Sequence, residues 1–296
     1  MIHKVISKLI VLLAFVPALV FSAPGIDSIV LEDVSDVPGA VAELTAKLEE
    51  QGFTIPLTIN HSGAAASVGL ELDPNQVIYA RPKRRLEKQL LLKSHTIGLD
   101  LPLKFHLFED KDGIKLAVNS IGYLIDRHQL SINDFVLRIT DRLTEQFGTV
   151  ADTGVVTVQS SRSVDETVQA LQDAIVVNPD ARIPLVLNYA DRRENSTSQE
   201  LRKNRSGNKN RSRLSSVLIV FGNPKVGTPL MQANPEIGID LPLEFLVWKS
   251  RDGQVNISYN NPQFIAKRFD LQGQDARIEG ISNALKALSA QAAGQD

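Results

Sequence analysis

The stretch Ile97-Gly98-Leu99-Asp100-Leu101-Pro102-Leu103 returns 140 positions later as Ile237-Gly238-Ile239-Asp240-Leu241-Pro242-Leu243. The two segments differ by a single Leu/Ile exchange, which indicates that the chain contains an internal duplication. This period is far longer than that of a solenoid repeat, so each copy is expected to form a domain.

The first long helix of each copy is predicted from matching apolar positions. These positions are Val37, Val41, Leu44 and Leu48 in the first copy and Val164, Val168, Leu171 and Ile175 in the second. Both sets advance by four, three and four residues, so each lies on one face of an α-helix. Asp36 is placed to cap the first helix, and Ser163 with Glu166 forms a capping box for the second.

The predicted strands also correspond between the copies. Segments 55–60 and 183–188 match, as do 77–80 and 217–221, and the glycines of Asp112-Gly113 and Asp252-Gly253 suit hairpin turns. A closing helix is predicted in each copy, marked by Ile132, Phe135, Ile139 and Leu143 in the first and by Ile278, Ile281, Leu285 and Leu288 in the second. The order β-α-β-β-α-β-β-α predicts an α+β fold with two tandem two-layer domains, each a mostly antiparallel sheet with helices packed on one face.

The strand after the repeated phrase is expected to dock the two copies. Its second face carries Lys104 in the first copy and Glu244 at the equivalent position in the second, and Phe108 matches Trp248. Because a pseudo-two-fold interface brings equivalent positions together, the opposite charges favour packing of these faces against each other.

The N-terminus has the pattern of a secretory signal. Lys4 and Lys8 precede an apolar run over residues 9–20, and Ser22 ends a small-residue cleavage site. The run is too short to span a bilayer about 30 Å thick, and we expect no membrane span after the signal is cleaved. We therefore predict a signal peptide over 1–22, repeat domains over 25–149 and 154–292, and a periplasmic or secreted protein.

Composition excludes several kinds of site. The chain has no cysteine, which excludes disulfides and thiolate ligands, and its formal net charge of −2 does not suggest a nucleic-acid partner. Residues 190–216 contain eight basic and three acidic side chains and are predicted to form a mobile basic loop. The corresponding functional prediction is contact with an anionic surface.

Two phrases resemble a known family. They are Phe221-Gly222-Asn223-Pro224-Lys225-Val226-Gly227-Thr228-Pro229-Leu230-Met231 in the second copy and Asn60-His61-Ser62-Gly63-Ala64-Ala65-Ala66 in the first. With the Asp-Leu-Pro-Leu phrase, they are similar to the domain-of-unknown-function family numbered 302. The resemblance implies a compact α+β domain that occurs singly or in tandem, with no assigned reaction. Neither copy carries both phrases, so any working site is expected to be single and asymmetric.

The residues predicted to bind a ligand come from these phrases and from the repeat. They are Gly222, Asn223, Pro224, Gly227, Thr228, Asp240, His61, Ser62 and Asp100. The glycine phrase precedes a short helix that Thr228 is expected to cap and Pro229 to open, which would leave free N–H groups for an anion. The alternative interpretation is a tight turn that requires glycine. The four histidines that follow the predicted signal peptide, His61, His95, His106 and His128, are expected to be structural or surface residues, because their counterparts Tyr189, Pro235, Leu246 and Arg268 would not preserve a metal site.

These patterns favour an exported, non-catalytic tandem-domain protein that binds a small ligand or an envelope protein, without a cofactor. An alternative is an enzyme of unknown reaction that uses His61 with Asp100 or Asp240 as acid and base. A third interpretation is surface adhesion through residues 190–216. The oligomeric state stays open.

Overall fold

A computed structural model describes residues 22–32, 34–130, 153–190 and 215–295. The elements of the first copy are β1 Ile26–Val30, α1 Val37–Glu50, β2 Thr54–Asn60, α2 His61–Ala66, β3 Asn75–Arg81, α3 Arg84–Lys93, a 3-10 helix His95–Leu99, β4 Leu103–Asp110, β5 Gly113–Asn119 and α4 Ile121–His128. The predicted closing helix with Ile132, Phe135, Ile139 and Leu143 lies outside the described residues.

The second copy repeats this order. Its elements are β6 Val155–Ser160, α5 Val164–Val176, β7 Arg182–Asn188, β8 Ser216–Gly222, α6 Pro224–Ala233, a 3-10 helix Pro235–Asp240, β9 Leu243–Lys249, β10 Val255–Asn260, α7 Pro262–Arg268 and α8 Asp275–Ala293. The predicted helix ending the second copy is confirmed as α8. Most of the basic loop predicted over 190–216 lies outside the described residues.

Each copy forms one antiparallel five-stranded sheet. The strand orders are β1-β5-β4-β3-β2 and β6-β10-β9-β8-β7, so the two copies have the same topology. The predicted α+β fold with two tandem sheet domains is confirmed. The structure adds short helices that the predicted order lacks, namely α2 in the first copy and α4 and α7 after the hairpins.

Local sequence signals set the helix starts and hairpins. The Gly39 amide donates to Asp36 Oδ1 at 2.6 Å, and Ser163 and Glu166 form the predicted capping box. Gly113 and Gly253 take positive φ angles of 115° and 98°, a region that favours glycine. These predicted caps and turns are therefore confirmed.

The two sheets pack against each other through the faces that their helices leave uncovered. One hydrophobic cluster joins Val77, Tyr79 and Leu99 of the first copy to Leu218 and Leu246 of the second. Helix α1 covers the other face of the first sheet, and α5 and α8 cover that of the second. The chain thus has four layers, with the helices outside and two sheets in the middle.

The packing of the sheets makes one of the histidines a structural residue. His106 lies on the face of β4 turned away from α1, and it is fully buried because the second copy covers that face. Trp248 is half-buried, stacks on His95 with ring centroids 4.6 Å apart, and donates from Nε1 to Ser258 Oγ at 2.9 Å.

Candidate functional site

Asp100 forms the centre of a buried polar cluster in the first copy. It ends the 3-10 helix just before the cis Leu101–Pro102 bond, and its side chain is 1% exposed. His128 Nε2 lies 2.6 Å from Asp100 Oδ2, and Arg127 Nη1 lies 3.3 Å from the same oxygen. Burial favours a raised pKa for Asp100, but Arg127, His128 and Lys104 outweigh it and hold the pKa well below its usual range.

The second copy contains a matching pair. Arg268 Nη1 donates to Asp240 Oδ2 at 3.0 Å, and both side chains are buried. The strand registers pair Phe105 with Val118 and Phe245 with Tyr259, so the second hairpin is one residue longer. The counterpart of Arg268 is therefore Arg127.

This register corrects the predicted pairing of His128 with Arg268. The residue equivalent to His128 is Phe269, which follows Arg268 as His128 follows Arg127. Phe269 is buried in the hydrophobic cluster of the second copy. The histidine is thus a feature of the first copy alone.

Each arginine also reaches an asparagine of the other copy. Arg127 Nη2 donates to Asn260 Oδ1, and Arg268 Nη2 donates to Asn119 Oδ1 at 2.7 Å. Asn119 in turn donates to Asp100 Oδ1 at 3.1 Å. These reciprocal bonds tie the copies together around the pseudo-two-fold axis.

The predicted docking of Lys104 on Glu244 is confirmed. Lys104 Nζ donates to Glu244 Oε2, and Lys104 also lies near Asp100 and Asp240. Burial raises the pKa of Glu244 to about 7, although Lys104 acts in the opposite direction. Three buried acids and three buried bases therefore lie together between the sheets and balance in formal charge.

His61 and Tyr189 perform the same structural task in the two copies. His61 Nε2 lies 3.2 Å from the Gly238 carbonyl oxygen, and the Tyr189 hydroxyl donates at 2.7 Å to the carbonyl oxygen of Gly98, the glycine equivalent to Gly238. Burial lowers the pKa of His61 to about 4. The structure therefore brings His128, and not His61, to Asp100.

Ser62 and Asn60 serve the local turn in the first copy. The Ser62 hydroxyl donates to the Asp73 carbonyl at 2.9 Å and accepts from the Asn75 amide at 2.8 Å. Asn60 caps α2 by accepting from the Gly63 amide at 2.8 Å. Both residues thus hold the segment that joins β2 to β3.

The glycine phrase forms a capped helix start. Asn223, and not Thr228, is the N-cap of α6, and Thr228 and Pro229 lie inside that helix, which corrects the predicted start. Asn223 Oδ1 accepts from the Lys225 amide at 2.9 Å, and the Asn223 carbonyl accepts from the amides of Val226 and Gly227. Amides of the first turn that were expected to be free for an anion are therefore used within the helix itself.

A polar pocket opens beside Asp100 between the two copies, with residues of α4 on one side and of β6 on the other. It has a volume of about 230 Å³ and is lined by Ser94, Thr96, Arg127, His128, Gln129, Thr153, Val155 and Thr157. Thr96 Oγ1 lies 3.0 Å from His128 Nδ1 and 3.1 Å from Ser94 Oγ. A chain of hydrogen bonds thus runs from the pocket wall through His128 to Asp100.

The second copy carries different residues at two of the pocket positions. There Glu236 and Phe269 stand where Thr96 and His128 stand in the first copy, and the segment with Ala23 and Pro24 packs beside them. The ion pairs of Asp100 and Asp240 occur in both copies, whereas the contact of Thr96 with His128 occurs in the first copy alone, because Phe269 replaces the histidine in the second. The pocket around His128 is therefore the candidate functional site.

Of the predicted ligand-binding residues, Asp100 alone contacts this candidate site. Asp240 lies in the matching ion pair, His61 in the sheet interface, and the phrase from Gly222 to Thr228 at α6. Sequence reasoning missed Arg127 and Thr96 as site residues. Aligning the copies on the N-caps Ser120 and Asn261 would have paired Arg127 with Arg268.

Two further properties concern metal binding and membrane crossing. Within residues 22–32, 34–130, 153–190 and 215–295, no three His, Cys, Asp or Glu side chains are grouped to hold a metal ion. No helix in these same ranges combines the length and apolarity that crossing a bilayer needs.

Comparison with known proteins gives a family and partial relatives. The family model described as "Domain of unknown function DUF302" matches residues 31–147 and 200–288. The fluoride-specific ion channel FluC 1 of Brucella suis biovar 1 (strain 1330) is 38% identical over 78 residues, which is 26% of this chain and 31% of that protein. A second FluC 1, from Brucella abortus biovar 1 (strain 9-941), has the same identity over 29% of its length. The chain thus spans less than a third of these curated relatives.

One solved structure is similar over a single copy. It is an uncharacterized conserved DUF302 protein from Bacillus stearothermophilus, with a TM-score of 0.37 and 15% sequence identity. The similarity covers 47% of this chain and 98% of that one.

Proposed function

We propose a function for this chain, which belongs to the family described as "Domain of unknown function DUF302". It is an exported, non-catalytic tandem-domain protein that binds a small polar ligand. One observation carries the proposal. The pocket of about 230 Å³ is lined mainly by polar residues, and two of them, Thr96 and His128, are replaced in the second copy by Glu236 and Phe269. A pocket with convergent polar groups is a typical small-molecule site.

The chemistry of the pocket defines the kind of ligand. Ser94, Thr96, Thr153 and Thr157 supply hydroxyl groups. Arg127 and His128 form part of the wall, and both ring nitrogens of His128 are already bonded, to Thr96 and to Asp100. The Arg127 charge is already matched by Asp100, so the pocket favours a neutral or singly charged molecule with several hydroxyl or carboxyl oxygens.

Thermal melting with small probes tests this proposal. Glycerol, lactate and glycine at millimolar concentration are added to the purified chain, and a ligand that binds the folded state raises the melting temperature. The variant His128→Phe introduces the residue of the second copy and is expected to abolish the shift. His61→Gln, which changes the interface and not the pocket, is expected to keep it.

A specific contact favours a second candidate function, an enzyme. Thr96, His128 and Asp100 are joined by distances of 3.0 Å and 2.6 Å, which is the order hydroxyl, imidazole, carboxylate used to activate a nucleophile. The ring nitrogens have exchanged roles relative to the serine protease arrangement, since Nε2 contacts the carboxylate. Turnover of p-nitrophenyl acetate that is lost in Thr96→Val would support this function, whereas probe binding without turnover supports the first.

A further inference from the structure

The backbone nitrogen of Ala23 points at a buried carboxylate of the second copy. Ala23 N donates to Glu236 Oε2 at 2.7 Å, and Glu236 is 8% exposed. Glu236 lies in the 3-10 helix Pro235–Asp240, and burial raises the pKa of its carboxyl. A carboxylate in such a place is stabilised far more by a cation than by an amide.

The residues after Ala23 are fixed in place. The Ile26 amide donates to the Ala23 carbonyl at 3.0 Å. Arg268 Nε donates to the Pro24 carbonyl at 2.9 Å, and Arg268 Nη2 donates to the Gly25 carbonyl at 3.3 Å. The position of the Ala23 nitrogen is therefore set by the folded chain that follows it.

Gly25 allows the backbone of residues 23–25 to take this conformation. Its φ angle is 75°, and a Cβ atom at this position would overlap the ring of Tyr123. The same ring lies under the Arg268 guanidinium, 4.1 Å from ring centroid to Cζ. The segment 23–25 is thus held between the first copy and an arginine of the second.

The sequence places the expected signal cleavage immediately before this nitrogen. The small-residue pattern ends at Ser22, so a cut there would convert the Ala23 amide into an α-amino group. Water would add its hydroxyl to the Ser22 carbonyl carbon and its hydrogen to the Ala23 nitrogen, which becomes an ammonium by taking one further proton from solvent.

We infer that Ala23 is the mature N-terminus and that its ammonium group forms a buried ion pair with Glu236. The pair joins the first residue of the first copy to the 3-10 helix of the second. Cleavage would thereby strengthen the docking of the two copies. In the uncleaved chain Glu236 has the Ala23 amide and the Ser22 side chain as hydrogen-bond partners, and the charges of Arg268 and Lys115 also act on it. This inference goes beyond ligand binding and concerns residues that do not line the pocket.

Chains with defined N-termini test the ion pair. We compare residues 23–296 with residues 21–296, each with Glu236 and with Glu236→Gln, by thermal melting at pH 7. The chain that begins at Ala23 is expected to melt higher by roughly 5 °C or more, and the difference is expected to vanish with Glu236→Gln. A chain 23–296 that is acetylated at Ala23 keeps Glu236 and is expected to melt like the longer chain.

The pH dependence gives a second readout. An amino group paired with a carboxylate has a pKa above its ordinary value of about 7.7–8.0, so its contribution to stability is present below that value and is lost as the pH rises through the raised pKa. The advantage of the Ala23 chain is therefore expected to decrease between pH 7 and pH 10. Equal melting of the two wild-type chains, or an advantage independent of pH, would overturn the inference.

The cleavage position has its own test. Mass spectrometry of the protein purified from its native host is expected to show Ala23 as the first residue. Any other first residue overturns the inference. The melting experiments use chains produced with defined N-termini, so their result does not depend on cleavage in the cell. They therefore distinguish a failure of the ion pair from a failure of the proposed export.

Discussion

Lys104 and Glu244 occupy equivalent positions in the two copies and meet each other, with Nζ 2.8 Å from Oε2 and both side chains 1% exposed. Removing one partner leaves an uncompensated buried charge, so Lys104→Met or Glu244→Leu is expected to cost about 3–5 kcal/mol of unfolding free energy. The double variant is expected to cost much less than the sum of the costs of the two single variants. Urea denaturation measures all three.

An exposed pair supplies the control for this experiment. Lys225 and Asp180 lie 2.8 Å apart with side chains 53% and 39% exposed. Lys225→Met is therefore expected to cost no more than about 1 kcal/mol, because water screens the pair. Equal costs for Lys104→Met and Lys225→Met would contradict the buried-pair account.

Asn119 and Asn260 should contribute similar amounts to the free energy of unfolding. Asn260→Ala removes the acceptor of Arg127, and Asn119→Ala removes that of Arg268. Asn260→Ala removes the bond of Arg127 Nη2, whereas Asn119→Ala leaves Arg268 Nη2 only the Gly25 carbonyl at 3.3 Å and also removes a bond to Asp100. Each change is expected to cost about 1–3 kcal/mol. Guanidinium chloride unfolding checks this, and a loss confined to one of the two variants would show that the pseudo-symmetry does not extend to energetics.

Acid should destabilise the protein through His61. Its pKa is lowered to about 4 in the folded chain against 6.5 when unfolded. The unfolded state therefore binds more protons, and the contribution of His61 to stability is lost as the pH falls from 6.5 to about 4. His61→Gln is expected to flatten the stability profile in this range, measured by urea unfolding at several pH values.

Tyr189→Phe is the matched control for His61→Gln. It removes the equivalent hydrogen bond to the Gly98 carbonyl, but it removes no group that titrates between pH 4 and 6.5. Its cost is expected to be constant over that range. A cost that varied with pH as strongly as that of His61→Gln would assign the acid sensitivity to another group.

A methyl group at Gly238 should clash with residues in the interface between the sheets. A Cβ atom there would lie 2.5 Å from His106 Nε2 and 2.7 Å from Asn75 Oδ1. Gly238→Ala is expected to cost about 1–3 kcal/mol through overpacking. Gly227→Ala, where the nearest atom is Leu241 Cδ1 at 3.7 Å inside α6, is expected to be neutral or slightly stabilising. Thermal melting distinguishes the two.

Much of the fold could be predicted because its signals are local or repeated. The helix faces, the capping box at Ser163 and the hairpin glycines depend on neighbouring residues. The contact of Lys104 with Glu244 is long-range, but the duplication made it predictable, since equivalent positions meet at a two-fold axis.

The site was less predictable for a physical reason. The second hairpin has one extra residue, so an alignment with a fixed offset of 140 residues paired His128 with Arg268. That alignment did not reveal that Arg127 and Arg268 are equivalent. His61 and Tyr189 differ in chemistry but both reach carbonyl oxygens across the interface, a relation that only three-dimensional packing reveals. The side chains around Asp100 converge from the 3-10 helix and α4, which are distant in sequence.

The charge pattern at positions 104 and 244 limits how this architecture can be assembled. In a homodimer about the same axis, a buried lysine would face its own copy, and so would a buried glutamate. Opposite signs at one structural position require two different halves, and in this chain the duplication supplies both halves in one polypeptide. Neither half retains a self-complementary surface, so separating them by cutting the linker would yield two different subunits that recognise each other and not themselves.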